Sequence, residues 1–127
     1  MQRHGILLFA HGARDPLWAR PFEAVAQRLR DRAPDMPVVL AFLELMTPDM
    51  HNAGHALAAQ GCTAVSVLPL FLGAGGHVRK DLPALLDRLR GELPQVSWQL
   101  APPIGEIDTV IAAIADAAWA LAQAPSR

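Results

Sequence analysis

Four short apolar runs, separated by stretches with helical spacing, constrain this chain more than any other feature. The runs are Ile6 to Ala10, Val38 to Leu45, Val65 to Leu72 with Pro69 inside it, and the alternating Val96 to Leu100. Continuous apolar runs of this length, bounded by Gly and Pro, suit strands buried on both faces. Between them, Trp18, Phe22, Val25 and Leu29 recur at intervals of three and four, as on one face of a helix. Pro21 belongs in the first turn of that helix, where a missing N–H costs little. Met50, Ala53, Leu57 and Ala58 mark a second helix that ends near Gly61. Leu82, Leu85, Leu86 and Leu89 mark a third, with Asp81 as its N-cap and Pro83 just inside the start. Ile107, Val110, Ile111, Ile114, Ala118 and Leu121 mark the last, with Trp119 beside that face. The pattern βαβαβαβα predicts an α/β fold, a four-stranded and mainly parallel sheet with helices on both faces. Its connections are expected to be right-handed crossovers.

Composition narrows the class. The 127 residues, 52% apolar and 18% charged, read as a single domain over residues 1–127 with a core of its own. A net charge of -1 gives no electrostatic footprint for nucleic acid or an anionic membrane. One cysteine excludes an internal disulfide framework and a thiolate-cluster metal site. No apolar run approaches the roughly 20 residues that span a bilayer, and the N-terminal run is too short for a signal peptide. A cytoplasmic location is the expectation.

In parallel α/β sheets, ligands bind beyond the carboxyl ends of the strands. The first run there leads into His11-Gly12-Ala13-Arg14-Asp15-Pro16. The second ends in Phe42-Leu43-Glu44-Leu45, and the third leads through Gly73-Ala74-Gly75-Gly76 to His77. Two histidines and a glutamate thus fall at one predicted edge from three strands. Imidazole with carboxylate suits borderline divalent metals, and neutral imidazole also accepts protons near neutral pH. The same residues have plainer readings: a hydrogen-bonded strand-end histidine, a carboxylate paired with arginine, glycines that make a turn. The glycine-rich segment matches neither G-x-x-x-x-G-K-[ST] nor G-x-G-x-x-G, although its N–H groups could hold a carboxylate at a helix N-terminus.

Other residues read more plainly still. His51 and His55 lie four apart and could face the same way, but the segment lacks the glutamate of H-E-x-x-H. A solvated helix face is the first reading there, auxiliary metal delivery the second. His4 reads as exposed, Cys62 as a small packing residue, and Trp18, Trp98 and Trp119 as packing residues.

The order His11-Gly12-Ala13-Arg14-Asp15-Pro16, Phe42-Leu43-Glu44, Pro69-Leu70-Phe71-Leu72, Gly75-Gly76-His77-Val78, Asp81-Leu82-Pro83 and Pro102-Pro103-Ile104-Gly105 resembles the sirohydrochlorin chelatases of the short CbiX type. The resemblance covers nearly the whole chain; Ala13 departs from the serine common in the family. It implies a chelatase-like three-layer α/β fold and ATP-independent insertion of Co²⁺, Fe²⁺ or Ni²⁺ into sirohydrochlorin, in cobalamin- or siroheme-type tetrapyrrole biosynthesis. The metal is a substrate, and no permanently bound cofactor is implied. His11 and His77 become the metal-binding and proton-accepting histidines, and Glu44 the acidic residue beside the metal. Arg14 and Arg79, next to the two histidine motifs, become candidates for the substrate carboxylates, with Gly75 and Gly76. Their plainer reading is solvated arginine, or a salt bridge to Asp15 or Asp81. Short members resemble one half of the longer chelatases, so a homodimer is expected to complete the cleft. The alternative within enzymes is a related tetrapyrrole as substrate; the rival expectations are a non-catalytic metal or tetrapyrrole carrier, or a partner subunit of a mixed dimer.

Overall fold

The first strand, β1 (His4–Ala10), lies inside the sheet, which a computed structural model resolves into four parallel strands in the order β2-β1-β3-β4. The structure describes residues 2–125 apart from Ala74, and describes His77 by its backbone alone. Strand β2 (Val38–Phe42) pairs with β1 so that Leu8 faces Leu40; β3 (Ala64–Pro69) pairs on the other side, with Leu8 opposite Leu68. The short β4 (Ser97–Leu100) adds to β3 through Val65 and Trp98.

Alternation along the strands divides the core in two. Leu7, Phe9, Ala41, Val65, Val67 and Trp98 face α2 (Met50–Ala59) and α3 (Gly76–Glu92). Leu8, Ala10, Val38, Leu40 and Phe42 face the opposite way, toward α1 (Arg20–Arg32). Helices therefore cover both faces, as the apolar runs predict. Asp49 caps α2 by accepting from the Asn52 N–H at 2.8 Å, and Gly61, at φ +88°, follows its end. Trp18, Phe22 and Leu29 of the expected stripe pack on this side with the buried Ala26, while Val25 is exposed.

Two expectations fail. Asp81 does not cap the third helix: α3 begins at Gly76, behind an extended Gly75, and carries Pro83 well inside it. Pro83 is exposed and supplies no N–H for the Arg79 carbonyl, a cost the helix absorbs through its buried Leu82, Leu86 and Leu89. The fourth helix, α4 (Asp108–Gln123), forms where its periodicity places it, yet none of its residues is buried. It packs on the 3-10 turn Ile104–Glu106 and leaves Ile111, Ile114, Trp119 and Leu121 exposed. Trp119 is accordingly not a packing residue in the chain by itself.

Candidate metal site at the strand edge

His11 follows β1 directly, and Glu44 lies two residues beyond β2. The parallel pairing continues past both strands: the Leu43 N–H donates to Ala10 at 2.9 Å and the Glu44 N–H to His11 at 3.1 Å. The two side chains are thereby held on neighbouring backbone, and His11 Nε2 lies 3.1 Å from Glu44 Oε1. Both remain about half exposed, at 51% and 56%, so the pair is open to an incoming ion. The His11 ring meets Phe71 edge-on with centroids 6.4 Å apart, and Phe71 in turn meets Phe9 at 6.0 Å. One flank of the imidazole thus rests on the aromatic core while its Nε2 edge faces the carboxylate.

Gly12 makes this approach possible. It adopts φ +94°, and a Cβ there would run into the Glu44 carbonyl oxygen. Beyond Glu44 the chain turns through Leu45 at φ 65°, a left-handed conformation rarely taken by leucine.

The structure brings together His11 and Glu44. The backbone of His77 sits in the first turn of α3, whereas its side chain lies outside the described residues. Gly75 and Gly76 are exposed at the start of α3, with open space where a Cβ would project. Arg14 is exposed beside a surface hollow that includes Leu45 and Met46. Among the described residues, the salt bridge of Arg79 is to Glu106, Nη2 to Oε2 at 3.6 Å, rather than to Asp81 or Asp15. Asp15 instead accepts from the Leu17 N–H, capping the 3-10 turn Pro16–Ala19. A groove of about 590 Å³ runs between α2 and α3, lined by Phe9, Leu43, His51, Asp81 and Arg88 among others.

His51 and His55 do face one way. Their rings lie 4.4 Å apart, and both Nε2 atoms meet Glu92 Oε1, at 2.7 Å and 3.0 Å. The bond to Glu92 raises the His51 pKa above the ordinary histidine value. The bonds from His55 and His51 hold Glu92 below the ordinary carboxylate value. Glu92 carries no local sequence signal, because it joins the histidines through the packing of α3 on α2. Phe71 stood in the sequence within an apolar run and the Pro69-Leu70-Phe71-Leu72 motif, with no signal of its contact with His11. Elsewhere, His4 is exposed and bonds Ser66 Oγ at 2.8 Å, and Cys62 is buried, which raises its thiol pKa. No helix among the described residues is long and apolar enough to cross a membrane.

Comparison with known proteins agrees with this architecture. The CbiX family model matches residues 5–119. A sirohydrochlorin cobaltochelatase from Sulfurisphaera tokodaii is 33% identical over 111 residues, 87% of each chain. Another, from Methanothermobacter thermautotrophicus, is 35% identical over 65% of this chain and 57% of its own length, so this chain spans little more than half of that relative. The CbiX protein from Marinobacter aquaeolei VT8 superposes with a TM-score of 0.83 and 35% identity, over 94% of this chain and 98% of that one. The sirohydrochlorin chelatase SirB from Bacillus subtilis subspecies spizizenii, solved in complex with cobalt, gives 0.78 at 25% identity over 91% of this chain and 49% of SirB. With the family match across nearly all its length and the fold in agreement, the chain belongs to the CbiX family.

Proposed function

We propose that this chain is an ATP-independent chelatase that inserts a divalent metal into sirohydrochlorin, with Co²⁺ as the first candidate and Fe²⁺ or Ni²⁺ next. The observation that carries this reading is the open His11–Glu44 pair, 3.1 Å apart at the ligand edge of a CbiX-family sheet. Two sirohydrochlorin cobaltochelatases among its relatives support the substrate.

Insertion requires a hydrated cation to shed water and two pyrrole N–H protons to leave. Neutral His11 and the Glu44 carboxylate, with His77 from the start of α3, would replace some of the ion's waters. An exposed, incomplete donor set suits an ion that must move on to the macrocycle. The same groups would accept the pyrrole protons, since imidazole nitrogen and carboxylate oxygen are the bases of the set. Ligation needs unprotonated imidazole, so metal capture weakens in acid.

Arg14 and Arg79 would pair with the substrate's carboxylates, and the Gly75 and Gly76 N–H groups would receive another at the start of α3. The Arg79–Glu106 contact is solvated and contributes little to folding. We also propose that two copies form the cleft. The exposed apolar side of α4 and the chain's coverage of about half of SirB support that reading.

The test is anaerobic insertion of Co²⁺, Fe²⁺ and Ni²⁺ into sirohydrochlorin, followed by absorbance of the product. Wild-type protein is expected to turn over, and His11→Ala and His77→Ala to lose most of the rate. Unchanged rates in both variants would remove the assignment, and metal binding without any product would favour a carrier.

A further inference from the structure

We propose that His51, His55 and Glu92 form a second divalent-metal site, separate from the His11–Glu44 pair, that ties the start of α2 to the end of α3. This inference goes beyond the chelatase reading and does not depend on it.

The geometry is that of a site assembled by packing. His51 and His55 are four apart on α2, which stacks their rings on one helix face. Glu92 is the last residue of α3 and comes from more than 35 positions along the chain. The two helices meet closely at Gly54, where a Cβ would lie 2.6 Å from Leu89 Cδ2 and 3.1 Å from the Trp98 ring. Gly54 precedes His55 directly, and Leu89 is one turn before Glu92. The close approach therefore sets the reach of the three side chains toward each other.

The donor atoms of all three residues lie within 4.8 Å of one another. Around a four-coordinate ion at roughly 2.0–2.1 Å, ligand atoms sit about 3.3 Å apart. The histidine-to-carboxylate distances of 2.7 and 3.0 Å need to open by only a few tenths of an ångström to admit one. Surface side chains that are 37–47% exposed can make that adjustment by rotation. Both imidazoles meet the same carboxylate oxygen, so replacing two protons by one cation keeps all three partners.

Two imidazoles and a carboxylate favour Zn²⁺, Co²⁺, Ni²⁺ or Cu²⁺ over Mg²⁺ or Ca²⁺, which prefer oxygen ligands. The set leaves at least one position for water. His51 also lines the groove between α2 and α3, so solvent reaches the site from that side.

Titration calorimetry with Zn²⁺ tests the proposal on the His11→Ala/His77→Ala protein, in which the strand-edge ligands are absent. One equivalent is expected to bind, and adding His51→Ala/His55→Ala should abolish it. Glu92→Gln should weaken it at least tenfold. No binding, or binding indifferent to His51→Ala/His55→Ala, would overturn the site. Should the strand-edge variant fail to fold, ¹⁵N imidazole spectra of the wild-type chain decide instead. Zn²⁺ is expected to shift the Nε2 signals of His51 and His55 together, and unmoved signals would overturn the proposal. Because the chelatase reading is judged by product absorbance, either conclusion can fail without the other.

Discussion

Gly12 and Glu44 are locked together by backbone: a Cβ on Gly12 would collide with the Glu44 carbonyl oxygen, and Gly12 also holds φ +94°. The His11–Glu44 pairing depends on this contact, because the backbone of each residue runs beside the other's. Gly12→Ala should therefore cost about 2 kcal/mol or more, through both collision and left-handed strain. Its denaturation midpoint should fall, and Co²⁺ affinity should fall with it.

Replacing the pair itself should separate function from stability. His11 and Glu44 are each about half exposed, and such ion pairs contribute little to folding. The His11→Ala/Glu44→Ala protein should stay within about 0.5 kcal/mol of wild type while losing Co²⁺ binding at the strand edge and most of the insertion rate. Chemical denaturation and metal titration of the same sample check both halves. A large stability loss would identify a structural pair.

Trp98 is buried at 5% exposure, and its indole N–H has no partner among the described residues. An orphaned buried donor costs about 1–3 kcal/mol, which offsets much of what the larger ring contributes by packing. Trp98→Phe should accordingly lie within about 1 kcal/mol of wild type, whereas Trp98→Ala should lose about 3–5 kcal/mol. Urea midpoints of the two variants test the contrast.

In chelator, without metal, the His51–Glu92 contact should make stability depend on pH. His51 has a raised folded pKa, first through its bond to Glu92, with smaller contributions from Asn52 and Asp49. Its contribution is full below the unfolded value of about 6.5 and is lost as pH rises through the folded value. Glu92 has a lowered folded pKa through His55 and His51, so its contribution is present above the unfolded value and is lost in acid. The Tm difference between wild type and His51→Ala/His55→Ala should thus be greatest between the ordinary carboxylate and histidine ranges, near pH 5–6, and shrink as pH rises above about 6.5. A difference that is flat across this range would contradict the assignment.

How far the sequence reached depended on the range of each interaction. Parallel strands deliver their ends to one edge, so His11 and Glu44 could be brought together from two apolar runs alone. Glu92 could not, since only the α2–α3 contact at Gly54 and Leu89 places it beside His51. The start of α3 was misread because Asp81 and Pro83 mimic a helix beginning, while Gly75 provides the extended residue from which the helix starts. Periodicity identified α4, but an apolar stripe says only that something covers it, not that the same chain does.

That stripe carries the last prediction. Helix α1 covers β1 and β2, whereas α4 packs on the turn Ile104–Glu106. Ile114 is 49% exposed and Leu121 76% exposed, and on the α1 side Leu68 of β3 and Leu70 just beyond it are only partly buried. If a second copy covers these residues, charges on the stripe should separate the copies without unfolding them. Ile114→Asp/Leu121→Asp is expected to sediment as a monomer at concentrations where wild type is dimeric, with an unchanged far-UV spectrum. Its insertion rate should fall at least tenfold, because one copy would then supply only half of the cleft. A monomeric variant that retains the full rate would show that a single chain suffices.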